Sequence, residues 1–490
     1  MRINELSAIA YNRFINPDYS TGYEDDGRIF NKALPSDTPV DPGTSRPMIS
    51  RSPYVPLEES DAYTALHKLS RQGYRVSERF VEYLSACFPR GDENRKNWQD
   101  AIERTFLALW RKKSKVSYLD TFYDWRGRTY HMSGEWGSLQ NSRLSRAALC
   151  SPETYKVDKN SKHYEYMIKC FKHEGWPTTY EEAKSYLGTP SFDGDGALDW
   201  MGVRAALALV EIEETGETDY LLEQDATCSG FQHMALLMGD MKLARMVNAL
   251  LNNTGEELEE LYMYVANKCN IAERLFNGCP RKARNFAKKI VMLTGYGSGA
   301  TGLACSYWTD AGGSGETDDE GRLVPDMDAT IHIGTKKFEF VELKVFVKTC
   351  QDVLIHEFPL IDTLKKICIS FFGRCMNKDS SVFEWEAPDG FIARRIITQK
   401  EQDEETVGAA GAMPNIIHSL DAAIIRHTLL NWNGCIGVVH DAIFSRIVDA
   451  LEVREVVRES YAAIHGNLNN FPINQKNTYT INDMGRCIGV

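Results

Sequence analysis

Arg284, Lys288, Met292 and Tyr296 follow one another at four-residue steps, so on a helix they lie one above the next, a cationic ladder ending in an aromatic ring beside Gly297. Residues 281–300 hold five basic side chains (Arg281, Lys282, Arg284, Lys288, Lys289) and no acid. An anion close to this face would meet a positive field that the local sequence does not compensate, and a triphosphate suits such a field. An ordinary amphipathic helix with a solvated basic face has the same pattern, so the ladder gains force only in company. Two acids supply that company. Asp225 follows the apolar run 220–222 and precedes a Ser229-Gly230 turn that opens a helical run through His233. Asp441 stands with His440 between two β-rich runs, 434–439 and 442–445, as at the tip of a hairpin. Either carboxylate alone reads as a helix cap or a turn residue. Joined to a Lys/Arg helix, they are what two-metal phosphoryl transfer requires. Two Mg²⁺ ions roughly 3.5–4 Å apart need shared anionic oxygens, while charge develops on the attacking and leaving oxygens.

Other motifs do not compete. Gly297, Gly299 and Gly302 satisfy G-x-G-x-x-G, with acids downstream, but a dinucleotide loop follows a strand and opens a helix, whereas here a basic helix precedes it. No G-x-x-x-x-G-K-[ST] occurs, and the twelve cysteines form no C-x-x-C pair and no zinc-like cluster. They read as reduced thiols, many in the core. Residues 1–11 lack a basic stretch followed by an apolar run, and no apolar segment reaches the roughly 18–20 residues that span a bilayer. The expectation is an intracellular protein with no membrane partner.

The elements that must position these residues follow from the rest of the pattern. At 490 residues, with 43% hydrophobic and 25% charged side chains, the chain is neither a peptide hormone nor a disordered chain, and two to four substructures are expected. A formal charge of −12 argues against non-specific nucleic-acid coating but leaves one basic cleft open, and residues 111–146 carry eight Lys/Arg against three acids. Residues 1–57, with six of the 17 prolines between 35 and 56, read as an extended arm. Helical spacing marks 60–115 (with a break at 89–93), 164–171, 200–213, 231–276, 282–296, 338–372, 414–430 and 453–465. Strands are expected at 383–397 around Pro388-Asp389-Gly390, and 399–405 is polar and exposed. The Gly-rich piece 309–328, with seven acids to one Arg, reads as a solvated loop.

These motifs together resemble the single-subunit, phage-type and mitochondrial-type DNA-dependent RNA polymerases, in order, over about residues 60–470. Asp124-Trp125-Arg126-Gly127-Arg128 resembles the family's D-x-x-G-R element; residues 225–233 its motif A; 284–297 its motif B; and His440-Asp441 its motif C. Residues 412–421, ending Pro414-Asn415-Ile416-Ile417-His418-Ser419-Leu420-Asp421, are similar to its P-N-x-x-H-S-x-D segment, and 385–391 to a W-x-A-P-D-G-F stretch. The resemblance implies an α+β, mostly helical right-hand polymerase fold: palm and fingers, a reduced thumb, and a small antiparallel palm sheet carrying the catalytic aspartates. It implies a nucleotidyltransferase in which Asp225 and Asp441, with the carbonyl of Ala226, bind two Mg²⁺, and Lys288 contacts the triphosphate and protonates pyrophosphate. Arg284 would bind the same phosphates, Tyr296 would stack at the insertion site and sense the ribose hydroxyl with His418, and Arg126 and Arg128 would hold template and hybrid backbone. Phosphate contacts of that kind position without reading sequence. Family-A DNA polymerases, the nearest relatives, carry a Glu where this chain has Gly230 and another where it has Ala442. Gly230 leaves space for a ribose, which favours ribonucleotides over the alternative of a DNA polymerase. Retention of both aspartates and Lys288 disfavours the other alternative, a non-catalytic nucleic-acid-binding relative.

The chain also departs from the single-chain members. Only 123 residues precede Asp124, about 20 lie between Phe391 and Ala412 where a promoter-reading hairpin is usual, and 483–490 lacks the aromatic terminal tail. These gaps resemble the large subunit of the two-chain RNA polymerases of phages of the N-four group. The domain expectation is a proline-rich arm at 1–57, a helical remnant of the amino-terminal and thumb region at 58–120, palm at 121–250, fingers at 251–411 and palm again at 412–490. Expected partners are template DNA, RNA product, NTPs, a smaller subunit supplying the amino-terminal region, and a single-stranded-DNA-binding recruiter. The expected location is the cytoplasm of an infected bacterial host.

Overall fold

The computed structural model describes residues 38–39, 60–87, 116–131, 138–140, 142–190, 198–249, 260–318, 323–375, 382–396 and 409–467. The arm 1–57 apart from 38–39, the helical positions 106–110, the polar stretch 399–405 and the carboxyl end 483–490 lie outside them. The chain divides into two compact units, one comprising residues 1–225 and 424–460, the other 226–423 and 461–490.

The first unit is organised on a three-stranded antiparallel sheet in the order Ile436–Val439, Ala442–Arg446, Leu221–Gln224. Side chains alternate along a strand, so the sheet feeds two cores. Leu221, Val439 and Phe444 pack with Phe80, Trp200, Val203 and Leu207, whereas Leu222 joins Phe171, Leu209, Tyr220 and Ile447. Helix Trp200–Thr215 serves both cores and is buried from Trp200 through Ile212, as its apolar run demands. Asp199 caps its start by accepting from the Gly202 N–H, and Gly216, at φ 73°, ends it in the left-handed conformation that glycine adopts without cost. Arg204 on this helix is 1% exposed and pairs with Glu211 and Asp219, so its charge is buried but compensated.

The stretch expected to be helical from residue 60 is interrupted. Helices Asp61–Ser70 and Glu78–Cys87 flank a strand, Gly73–Val76, which pairs with Ser117–Tyr118 on one side and Leu149–Cys150 on the other. Four residues are too few for periodicity to separate a strand from a helix turn.

The second unit is mainly helical: Ser229–Met238, Met241–Met246, Leu261–Lys268, Ile271–Leu275, Pro280–Gly295, Ala300–Asp310, Phe340–Glu357 and Leu360–Cys375, with three small hairpins among the described residues. The 383–397 expectation is met by Val382–Glu386 paired with Ile392–Ile396 around Gly390, at φ 82°. The acidic piece is not simply a loop: Gly315–Thr317 pairs with Leu323–Pro325. Its strands are short and largely exposed, so no apolar alternation announced them. Helix Ala409–Asn431 belongs to this unit through Ala423 and to the first unit thereafter. Among the described residues no helix is long and apolar enough to cross a membrane.

One close approach fixes the arrangement that matters below. The helix at Pro280–Gly295 meets helix Ser229–Met238 where Gly295 faces Phe231, and a Cβ at Gly295 would stand 2.4 Å from Phe231 Cζ. A rigid buried ring cannot yield that much without displacing one helix. Gly295→Ala is expected to destabilise the protein by about 1–3 kcal/mol, read as a lowered thermal midpoint, with partial recovery when Phe231→Leu is added.

Candidate active site

In the first unit the sheet register does the positioning. Gln224 pairs with Ile443, and Val439 with Ala442, which leaves His440 and Asp441 as the two-residue hairpin tip. Asp225 is the residue directly after Gln224, and Asp441 lies two residues before the partner of Gln224. The two carboxylates therefore emerge at the same end of adjacent strands, whose spacing is about 4.8 Å. Asp225 is exposed and Asp441 half-buried. The register is pinned by a buried polar contact, Gln224 Nε2 donating to Ser445 Oγ at 3.1 Å, while Tyr166 donates to Gln224 Oε1. His440 turns the hairpin at φ 58°, in the left-handed region that a non-glycine residue occupies only when its surroundings hold it there.

The D-x-x-G-R segment is a tight turn organised by Asp124. Its carboxylate accepts from the backbone N–H of Arg126 and of Arg128, and from Arg126 Nε and Nη2 at 2.9 and 2.6 Å. Gly127, at φ 86°, presents its carbonyl to the buried Arg426 guanidinium. The turn joins strands Thr121–Tyr123 and Thr129–His131, and Tyr130 on the second strand makes an edge contact with His440, ring centroids 5.6 Å apart. The D-x-x-G-R turn thus adjoins the Asp441 hairpin. The expected backbone-holding role of Arg126 must reckon with its bond to Asp124. Tyr130, which the sequence did not single out, keeps its phenol proton: burial raises its pKa, and nearby Asp124 adds to the effect against Arg126 and Arg128.

In the second unit the ladder is present as drawn, on helix Pro280–Gly295, but its field is partly compensated. Arg284 is ion-paired with Glu260, its Nε 2.7 Å from Glu260 Oε2, and Lys289 with Asp310. Both acids lie outside the 281–300 window, so the local count missed them. Lys288 is exposed and, among the described residues, faces no carboxylate at ion-pair distance. Tyr262, also unforeseen, lies under both cations: the Arg284 guanidinium is 5.4 Å and the Lys288 ammonium 5.8 Å from its ring centroid. Burial, with Cys228 beside it, drives the Tyr262 pKa far upward, so the phenol stays neutral. A tyrosine in an amphipathic run carries no sign of this at sequence level.

The end of the ladder meets two other expected residues. Tyr296 packs edge-on to His418 with centroids 5.4 Å apart, and a Cβ built on Gly230 would stand 2.9 Å from Tyr296 Oη. The space at Gly230 is thus taken by the tyrosine hydroxyl rather than left open for a sugar. The turn after Tyr296 is anchored by Gln351, which donates to Thr294 Oγ1 and to the Ser298 carbonyl at 3.0 Å each, and by Lys365, which donates to the Gly297 carbonyl. Trp385 of the W-x-A-P-D-G-F hairpin donates to Ser419 Oγ, next to His418.

Among the described residues no group of three or more His, Cys, Asp or Glu is placed to hold a metal ion. Asp225 and Asp441 offer carboxylate oxygen only, which fits Mg²⁺, an ion that keeps several waters and takes further oxygens from phosphates. Zinc-type chemistry has no ligand set at this position.

The family model for DNA-dependent RNA polymerase matches residues 201–307. Among curated proteins, the chain is 22% identical over 469 residues to a probable DNA-directed RNA polymerase of Gelasinospora sp., covering 82% of this chain and 54% of that protein. It is 23% identical over 276 residues to the mitochondrial DNA-directed RNA polymerase of Schizosaccharomyces pombe, covering 50% and 23% respectively. The chain thus spans about half the length of the first relative and about a quarter of the second. Among solved structures, the POL domain of Pol1 from M. smegmatis in complex with DNA primer-template and dNTP is similar at TM-score 0.37 and 16% identity, covering 83% of this chain and 66% of that one. Family model and curated relatives agree on DNA-directed RNA polymerases, which are nucleotidyltransferases, as the proteins this chain resembles.

The contact at Gly230 makes a coupled prediction. Gly230→Ala alone should lower stability by about 1–3 kcal/mol, and removing the opposing oxygen with Tyr296→Phe should recover much of that loss. A double-mutant cycle on thermal or denaturant midpoints reads the coupling.

Proposed function

We propose that this chain is the catalytic part of a DNA-directed RNA polymerase of the phage and mitochondrial type, extending RNA with ribonucleotides from nucleoside triphosphates by two-metal phosphoryl transfer. The observation that carries the reading is the strand register that brings Asp225 and Asp441 to one end of one sheet. Similarity to DNA-directed RNA polymerases supports it independently.

Asp225, Asp441 and the Ala226 carbonyl would hold two Mg²⁺, which when bound supply Lewis-acid stabilisation of the charge that develops in phosphoryl transfer. Lys288, exposed and without an acid partner among the described residues, meets the triphosphate and donates a proton toward pyrophosphate. Arg284 binds the same phosphates if it exchanges Glu260 for them, so Glu260 acts as a placeholder anion. Tyr296 and His418 receive the sugar, and the Tyr296 hydroxyl over Gly230 stands where a 2′-hydroxyl would be read. Arg126 and Arg128 contact nucleic-acid backbone next to the Asp441 hairpin. In this reading residues 121–250 and 412–490 form the palm and 251–411 the fingers, after an arm at 1–57 and a thumb-region remnant at 58–120.

The span of only about 20 residues between Phe391 and Ala412, where a promoter-reading insertion is usual, supports a finer reading: the large subunit of a two-chain phage polymerase. It works in the cytoplasm of an infected bacterium with a smaller subunit and a single-stranded-DNA-binding recruiter, on phage genes. A single chain that elongates RNA on a primed scaffold as fast as any purified complex would remove the two-chain part of the reading.

Asp441→Asn keeps the shape of the turn and removes one metal-binding charge. Nucleotide addition on a primed template should fall by on the order of a thousandfold, with template binding retained in a gel-shift or anisotropy measurement. Turnover at the wild-type rate would remove the two-metal assignment. Parallel assays with ribo- and deoxyribonucleoside triphosphates separate this reading from that of a DNA polymerase.

A further inference from the structure

His233 closes the Asp225 segment and Asp421 closes the His418 segment, yet neither has a role in the chemistry above. The structure buries them together. His233 Nε2 lies 2.9 Å from Asp421 Oδ1, and His233 Nδ1 lies 2.8 Å from His465 Nε2. The three side chains are 0%, 2% and 4% exposed in the order His233, Asp421, His465, so solvent screens none of these contacts. Tyr461 stacks on His233 with centroids 5.3 Å apart and donates to Gln232 Oε1, whose amide in turn donates to the Val247 carbonyl.

The protons can be placed. His233 donates from Nε2 to the Asp421 carboxylate, and the two facing ring nitrogens share one proton. Were it on His233 Nδ1, His465 Nε2 would accept, and the remaining proton of His465 would sit on Nδ1, a buried nitrogen with no hydrogen-bond partner. Leaving a buried donor unpaired forfeits a hydrogen bond that water would have supplied, and a bare acceptor is the better tolerated of the two. The proton therefore resides on His465 Nε2, and both rings are neutral. Burial holds the His465 pKa well below the usual histidine range, which keeps that ring neutral.

The spacing gives the cluster its consequence. Gly230 precedes His233 by three residues on helix Ser229–Met238, and His418 precedes Asp421 by three on helix Ala409–Asn431. On each helix, residues three apart share a face. The two groups that touch Tyr296 therefore each sit one turn from a member of the buried His233–Asp421 pair.

We propose that Asp421, His233 and His465 are positioning residues that clamp these two helices at one spacing and so set the Gly230–Tyr296–His418 contact that receives the nucleotide sugar. The identity of that ligand rests on the polymerase reading; the clamp does not.

The test uses the full enzyme as purified, with ¹⁵N-labelled histidine. His233 and His465 should both appear as neutral Nε2–H tautomers. In Asp421→Asn, which keeps an acceptor oxygen of the same shape but no charge, the His418 resonances should shift. The kcat/KM ratio of ribo- to deoxyribonucleotides should fall about fivefold, within the range by which networked residues modulate coupling, while the thermal midpoint moves little. His465→Gln, whose amide can still donate to His233 Nδ1, should retain the ratio. A charged or Nδ1-protonated His465 would overturn the proposal. So would a folded Asp421→Asn enzyme in which the His418 signals and the ratio both stay at their wild-type values. The expected tautomers and His418 shift in a chain that adds no ribonucleotide to any template would uphold the clamp and count against the polymerase reading instead.

Discussion

Two carboxylates 216 residues apart in the chain can serve one pair of cations only if something holds them side by side against their mutual repulsion. Here that constraint is a short antiparallel ladder, with Gln224 opposite Ile443 and Val439 opposite Ala442. A slip of one residue would turn every side chain of the Leu221–Gln224 strand to the other face and bury the wrong half of it. The buried Gln224–Ser445 bond and the Glu223–Arg146 ion pair would be lost in such a slip, which opposes it. The proposed metal site would thus take its geometry from the packing and polar contacts of the strands that carry it.

A similar economy governs the second unit. Two glycines let helices Pro280–Gly295 and Ser229–Met238 approach, Gly295 admitting Phe231 and Gly230 admitting the Tyr296 hydroxyl. Neither residue contributes a side chain, and a methyl at either would displace the ring it faces. The cations of the ladder are treated unequally. Arg284 and Lys289 are held by acids, while Lys288 rests over an aromatic ring with no carboxylate at ion-pair distance among the described residues.

Much of this was legible in the sequence because it depends on local chemistry. The i, i+4 ladder, the strand–turn–helix at Asp225 and the hairpin at His440-Asp441 are written in consecutive residues, and the structure forms each of them. What escaped depends on partners distant in the chain. Glu260 and Asp310 neutralise neighbours that no window around the ladder includes, and Tyr262 becomes a platform only when its helix packs against the ladder. The missing side chain at Gly230 was read as room for a ribose, but the space there is taken by the Tyr296 hydroxyl, from a distant part of the chain. The hairpin Gly315–Thr317 with Leu323–Pro325 was invisible because solvated strands need no apolar alternation.

The central claim, that Asp225 and Asp441 form one divalent-cation site, is open to a measurement that requires no catalysis. Fe²⁺ substituted for Mg²⁺, with ascorbate and peroxide, generates hydroxyl radicals that cut the backbone near the bound metal. The account predicts cleavage at two places in the same experiment, around residue 225 and around residue 441, both suppressed by excess Mg²⁺ and both lost in Asp225→Asn. Cleavage at one place alone, or a pattern unchanged in that variant, would contradict it.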